Sequence, residues 1–384
     1  MNKKVLYTIV GVIILFFITS DIYGVDDNKS NVTEEIKENF GLSAYLDSIG
    51  ECIQEANVSE FNISDFSNDL ISGRGIGYNK IFQNIISLLG KEIFISLKSA
   101  ILILIIILLM AILNGINENS QILNIVYLVC FIAIASITIG NFTQIISMFK
   151  NTSDILSKIV QIVSPFLIAI LIGTGAITST GLIQPLILFM ASLIGFIITY
   201  IIIPCISVSV ALNVISSMSD NFKFNELSKM FSKCAIWIIG IVLTLFLGIL
   251  SLETTLSASV DSLTVNVTQA AFSNFIPVVG KFFSDSLETV IGTSKIIGKA
   301  GGVVGIVSMI VISSVPIIKI ASVCIVYYLL AAISEIVCKE EKIKKYIKGF
   351  GDVYKTLLGI LIGINILFII SIGIIINLCG KIGT

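Results

Sequence analysis

The chain has no histidine, which removes Ser-His and Cys-His nucleophile pairs and imidazole-held metals. Charge is scarce as well: 13% of the 384 residues are Asp, Glu, Lys or Arg, about half the share of a soluble domain. The seven cysteines, Cys52, Cys130, Cys205, Cys234, Cys324, Cys338 and Cys379, form no C-x-x-C pair. Most lie in or beside apolar runs, so they read as filler rather than as a disulfide or metal framework. No phosphate-binding G-x-x-x-x-G-K-[ST] loop occurs; Gly280-Lys281 and Gly298-Lys299 lack the upstream glycine and the following hydroxyl. If the protein moves a substrate, ATP is spent elsewhere. No cofactor and no metal are expected, and neither is enzymatic activity or a nucleic-acid partner.

What fills the space is apolar. No charged side chain occurs in Ile101–Leu113, Ile159–Met218 or Cys234–Leu252. Gly301–Val337 is interrupted by Lys319 and Glu335, and Val353–Cys379 by Lys355. A helix of about 20 such residues crosses roughly 30 Å of hydrocarbon. The expected fold class is all-α: a polytopic helical integral membrane protein with a small exported N-terminal helical segment.

Lys3 and Lys4 precede an apolar run from Val5 to Ile18, the shape of a signal peptide or a signal anchor over residues 1–24. Residues 25–92 are then an exported acidic soluble segment. Over 21–92 there are 13 Asp/Glu against 5 Lys/Arg, in keeping with the retention of basic residues on the cytoplasmic side. Phe40, Leu42, Leu46, Ile49 and Ile53 recur at helical spacing. They predict short amphipathic helices that pack on each other or on a partner.

Residues 93–384 are the transmembrane domain, with about seven to eight spans expected. Candidate crossings are 94–113, 122–140, 162–177, 185–217, 234–252, 301–337 and 353–378. The loop Lys339–Gly349 carries five lysines against two glutamates, and the Lys223–Lys233 link is also basic. Both belong in the cytoplasm. An exported residue 92 and a cytoplasmic Lys223 demand an odd number of crossings between them, whereas the runs number four. The reading that closes the count lets Pro185–Ser217 cross twice around Pro204. The alternative is that Ile162–Ile177 only dips in.

Candidate functional residues are few. Lys319 sits in an apolar run three residues after Pro316; it reads as a pore or substrate contact, or as a wet bend where the proline breaks the run. The 253–300 region alternates apolar and polar residues around a Pro/Gly break, as an amphipathic or re-entrant element on the exported side. Pro277, Gly280, Asp285 and Glu288 are its candidate pore or partner contacts. Gly298/Gly302, Gly301/Gly305 and Gly359/Gly363 are spaced for close helix packing. Gly349-Phe-Gly351-Asp352 matches the G-x-G-D of intramembrane aspartyl proteases, but that chemistry needs a second Asp at membrane depth. Asp154, Asp220, Asp261 and Asp285 all lie in connecting segments. Gly351 and Asp352 read instead as a cap at the start of the last helix.

At Asn274-Phe-Ile-Pro-Val-Val-Gly280 and the following Ser284-Asp-Ser-Leu-Glu-Thr-Val-Ile-Gly-Thr-Ser294, the chain resembles the stage III sporulation protein AE family of endospore-forming Firmicutes. The likeness extends to the signal, the acidic segment, Ser164-Pro165…Gly173 ahead of Pro185, and Gly349-Phe-Gly-Asp352. It departs at Gln269, where some relatives carry a lysine ahead of the FIPVVG stretch. The resemblance implies a multi-pass protein of the mother-cell membrane around the forespore. It also implies a non-catalytic part in a feeding-tube, secretion-like channel complex that supports late forespore gene expression. The implied partners are the other stage III A proteins and, through them, stage II protein Q; a homo-oligomer is compatible with it. The rival is a stand-alone secondary transporter of a small solute, suggested by runs broken at Pro204 and Pro316.

Overall fold

The computed structural model describes residues 41–56, 78–116, 120–174, 177–218, 224–275, 279–337 and 341–381. The signal region, residue 277 and the stretch between 56 and 78 lie outside them. Hydrocarbon offers no hydrogen-bond partner, so apolar runs satisfy their own backbone as helices, and no strand occurs among the described residues. In order these are α1 (Leu42–Glu55), α2 (Tyr78–Ile116), α3 (Ser120–Gly173) and α4 (Ile177–Ile197). A π turn (Ile198–Ile202) leads into α5 (Ile203–Met218), followed by α6 (Asn225–Phe275), α7 (Val279–Val337) and α8 (Glu341–Lys381). Glu226 and Glu341 stand in the first turns of α6 and α8, where the helix dipole favours an acid. They pair with Lys229 at 2.6 Å and Lys345 at 2.9 Å.

Six helices among the described residues are long and apolar enough to cross a membrane: Glu92–Leu113, Leu123–Gly173, Thr180–Met218, Asn225–Glu253, Ser294–Val337 and Glu341–Leu378. The expectation was seven to eight, and the difference has two origins. Runs 122–140 and 162–177 belong to one 54-residue helix, α3, because Lys150, Asp154 and Lys158 recur on one face and do not interrupt it. Pro185–Ser217 is traversed once and not twice, since the chain turns through Pro204 without reversing. Three crossings now separate residue 92 from Lys223, so the parity closes with neither a hairpin nor a dip.

Proline therefore does not cut these helices. Pro165, Pro185 and Pro316 lie inside α3, α4 and α7. Ahead of Pro204 the helix widens into the π turn, which relieves the clash of the ring with the preceding turn. The 253–300 region is helical on both sides of residues 276–278. It is the outer continuation of α6 and α7, which run to Phe275 and from Val279.

Side-chain contacts identify the two ends of the bundle. At one end Tyr127 donates its hydroxyl to the carbonyl of Ser217 at 2.6 Å, and the Lys342 ammonium lies 5.4 Å from the Tyr127 ring. The start of α3, the end of α5 and the start of α8 meet here, so the basic segments that follow α5 and open α8 border what the positive-inside rule makes the cytoplasmic end. At the other end α1 lies against α3 and α7. Its apolar side, Leu42, Tyr45, Ile49, Cys52 and Ile53, is buried, while Asp47, Glu51 and Glu55 point outward. Helix α1 of the 25–92 segment thus packs on the protein's own bundle.

Candidate functional site

The outer seam is built on three glycines of α7. A Cβ on Gly301 would lie 2.2 Å from the Phe166 ring, one on Gly305 2.8 Å from Val163, and one on Gly302 2.3 Å from Ile376. Without side chains there, α7 approaches α3 and α8 more closely than any other residue allows. Tyr45 of α1 closes the seam. Its ring stacks on Phe166 with centroids 4.0 Å apart, and its hydroxyl donates to the carbonyl of Gly301 at 2.6 Å. Burial pushes the Tyr45 phenol well above its ordinary range, so it remains a neutral donor. One helical length away, both carboxylate oxygens of Glu55 accept from the Lys158 ammonium at 2.9 Å.

The inner half holds a second, mixed aromatic and polar core. Phe350 of α8 touches Phe142, Tyr327, Tyr346 and Tyr354, with centroids 5.1 to 6.4 Å apart. Thr138 and Tyr346 share a hydrogen bond between hydroxyls. The Asn213 amide donates to the Tyr346 carbonyl at 3.0 Å, and that of Asn141 to the Tyr327 hydroxyl at 3.3 Å. Ser209 of α5 meets the hydroxyls of Ser228 and Ser232 of α6 at 3.0 and 2.7 Å, and Ser209 and Ser228 each donate to the other's backbone carbonyl at 2.7 and 2.8 Å. Interhelical bonds of this kind contribute about 0.6 kcal/mol each in lipid, so they set register more than stability.

The residues singled out from the sequence do not converge. Lys319 is half-buried on α7, three residues past Pro316, in a helix that runs on through the proline. Pro316 therefore does not break the apolar run into two helices at Lys319. Gly280, Asp285 and Glu288 fall at the start of the same helix, with side chains outside those described. Glu288 and Lys319 are 31 residues apart on it, about 46 Å at 1.5 Å per residue. Pro277 lies outside the described residues.

Asp352 is not a helix cap. Helix α8 begins at Glu341, placing Asp352 in its fourth turn, where it accepts a hydrogen bond from the Tyr328 hydroxyl at 2.6 Å. Gly351 beside it lies under the Tyr328 ring. Among the described residues no three His, Cys, Asp or Glu side chains come together in a metal-binding group. The described chemistry is hydroxyl, amide and aromatic contact, which positions helices. Sequence reasoning marked the glycine pair 301/305 as packing but missed Tyr45 and Phe166; the one available signal was an aromatic on the apolar side of an amphipathic helix.

Comparison with known proteins fits this architecture. The family model for stage III sporulation protein AE matches residues 61–379. A stage III sporulation protein AE from Bacillus subtilis (strain 168) is 25% identical over 316 residues, covering 80% of this chain and 79% of that protein. No solved structure matches the chain. A family match along most of the six-helix bundle places this multi-pass membrane protein in the stage III sporulation protein AE family.

Proposed function

We propose that the chain is a non-catalytic membrane component of the channel complex between mother cell and forespore. The assembly is a feeding-tube or secretion-like structure required for endospore formation and late forespore gene expression. The observation that carries this reading is the family match along residues 61–379. The fold supports it. The interior contacts are spent on holding long helices together, and several helices continue well beyond one bilayer. Helix α7 alone has 59 residues, about 88 Å against roughly 30 Å of hydrocarbon. Its outer continuation, paired in sequence with that of α6, is the surface proposed to meet other stage III A proteins and, through them, stage II protein Q. The chain then resides in the mother-cell membrane around the forespore.

A fluorescent fusion followed through sporulation tests the reading. Signal should concentrate around the engulfed forespore, and deletion of the chain should halt late forespore transcription. Uniform signal in growing cells, with solute uptake that persists when the other stage III A proteins are removed, would favour the stand-alone permease. That rival drew on helices broken at Pro204 and Pro316; the chain runs through both as helix.

A further inference from the structure

Contacts between helices fix which residues lie at the same height in the membrane. The Cβ position of Gly302 on α7 reaches both Ile376 of α8, at 2.3 Å, and Leu167 of α3, at 3.5 Å. Leu167, Gly302 and Ile376 therefore share one level. Phe142 against Phe350, and Thr138 against Tyr346, carry the same parallel register of α3 and α8 inward. The Cβ position of Gly363 reaches Leu243 at 3.3 Å and Ile239 at 3.7 Å, which sets α6 beside α8.

The inner boundary of the hydrocarbon follows from charge. Lys229, Lys233 and Lys355 are exposed near the cytoplasmic end. Roughly 30 Å outward from Lys355 is about twenty residues of α8, which ends near Ile376 and so near Gly302 and Tyr45. On α6 this slab shows Ile241, Leu245, Ile249 and Leu252 to the outside. The opposite flank at the same levels differs. Between Ile139 and Ile172, α3 exposes no large apolar side chain. It presents Lys150, Asp154 and Lys158 on one face, continued by Gln161, and α1 adds Asp47, Glu51 and Glu55. The Lys158–Glu55 pair keeps side-chain exposures of 52% and 44%. Charged groups that open to the outside at hydrocarbon depth face water or protein, because acyl chains solvate neither an ion pair nor a lone charge.

We propose that the flank formed by α1 and the outer half of α3 is one wall of a water-filled cleft. It opens on the outer side and descends to mid-membrane beside Glu55 and Lys158, while α6 faces lipid. Water and small hydrated solutes are its contents. This deepens the channel reading by naming the flank that meets water, and it holds or fails independently of which proteins assemble with the chain.

Single cysteines introduced into full-length protein with its native cysteines replaced, probed in intact cells with a charged, membrane-impermeant thiol reagent, test the cleft. Asp47→Cys, Asp154→Cys and Gln161→Cys should react at least about tenfold faster than Leu245→Cys and Ile249→Cys. A second readout uses lipids brominated at mid-chain, in a Trp237→Phe background. Leu245→Trp should be quenched and Gln161→Trp spared. If Asp154→Cys and Gln161→Cys react no faster than the α6 positions, or if Gln161→Trp is quenched as strongly as Leu245→Trp, the cleft is ruled out. Rapid labelling of Leu245→Cys would overturn it too, by moving the hydrocarbon away from that height. None of these results bears on forespore localisation, which tests the channel reading by itself.

Discussion

The Tyr45 hydroxyl donates to the Gly301 carbonyl at 2.6 Å, and with that bond an N-terminal helix closes over the glycine seam of a helix 256 residues away in sequence. Tyr45→Phe keeps the stack on Phe166 and removes the bond, so it should cost about 1 kcal/mol. Tyr45→Ala removes both and should cost about 3–5 kcal/mol. Thermal unfolding of the detergent-purified protein measures each. Burial raises the phenol's pKa in the fold. Its contribution is thus constant below about pH 10, where the unfolded side chain begins to ionise, and falls as pH rises further. The stability gap between wild type and Tyr45→Phe should narrow only above that pH.

Gly301→Ala places a methyl 2.2 Å from the Phe166 ring, which is already held against Tyr45. The ring has to leave its stack, at an expected cost of about 1–3 kcal/mol. Gly359 belongs to a pair of the same spacing, yet a Cβ there meets nothing within 4 Å. Gly359→Ala should be neutral or gain up to about 1 kcal/mol in helix propensity. Equal losses at both positions would show that spacing alone matters, and not the neighbour.

Asp352→Asn retains an acceptor for the Tyr328 hydroxyl, so spore counts should remain at the wild-type level. Asp352→Leu leaves that hydroxyl unpaired and should cost about 1–3 kcal/mol. Lost sporulation in Asp352→Asn, with unchanged thermal stability, would instead point to carboxylate chemistry at the G-x-G-D sequence.

Lys319 is a half-buried cation in an apolar stretch of α7, where an ammonium costs several kcal/mol unless it reaches a polar surface. Lys319→Leu should impair sporulation more than Lys319→Arg. Equal phenotypes would make the charge irrelevant at that position.

Trp237 is the chain's single tryptophan and is 71% exposed, one turn beyond Lys233 on the lipid side of α6. Amphipathic rings settle at the headgroup level. Its fluorescence should be quenched more by lipids brominated near the glycerol end of the acyl chain than by those brominated near the methyl end. The opposite order would move the inner membrane boundary toward Lys229.

The sequence made membrane residence and helix class legible, because charge-free runs of spanning length have few other uses. It misled at boundaries. Lys150, Asp154 and Lys158 suggested a gap between two spans, but charges that share one face leave a helix intact. The basic stretch 339–349 read as a loop and Asp352 as a cap; the lysines are in fact largely helical, since they occupy the wet side of α8 while Ile343, Tyr346, Ile347 and Phe350 are buried. Tyr45 against Gly301 was beyond reach, as no local pattern reports a partner 256 positions away.

The π turn ahead of Pro204 has a consequence for phase. Met190, Ile194, Ile198, Ile202, Ile206 and Val210 are all buried and all four residues apart. In an unbroken α-helix such a series drifts by about 40° per step, or about 200° over five steps, onto the opposite side. The wider turn absorbs roughly one residue of that rotation. Deleting a single isoleucine from it would leave a plain α-helix with Asn213 still facing the Tyr346 carbonyl, whereas deleting one residue of α5 ahead of Asn213 would swing that amide away by about 100°.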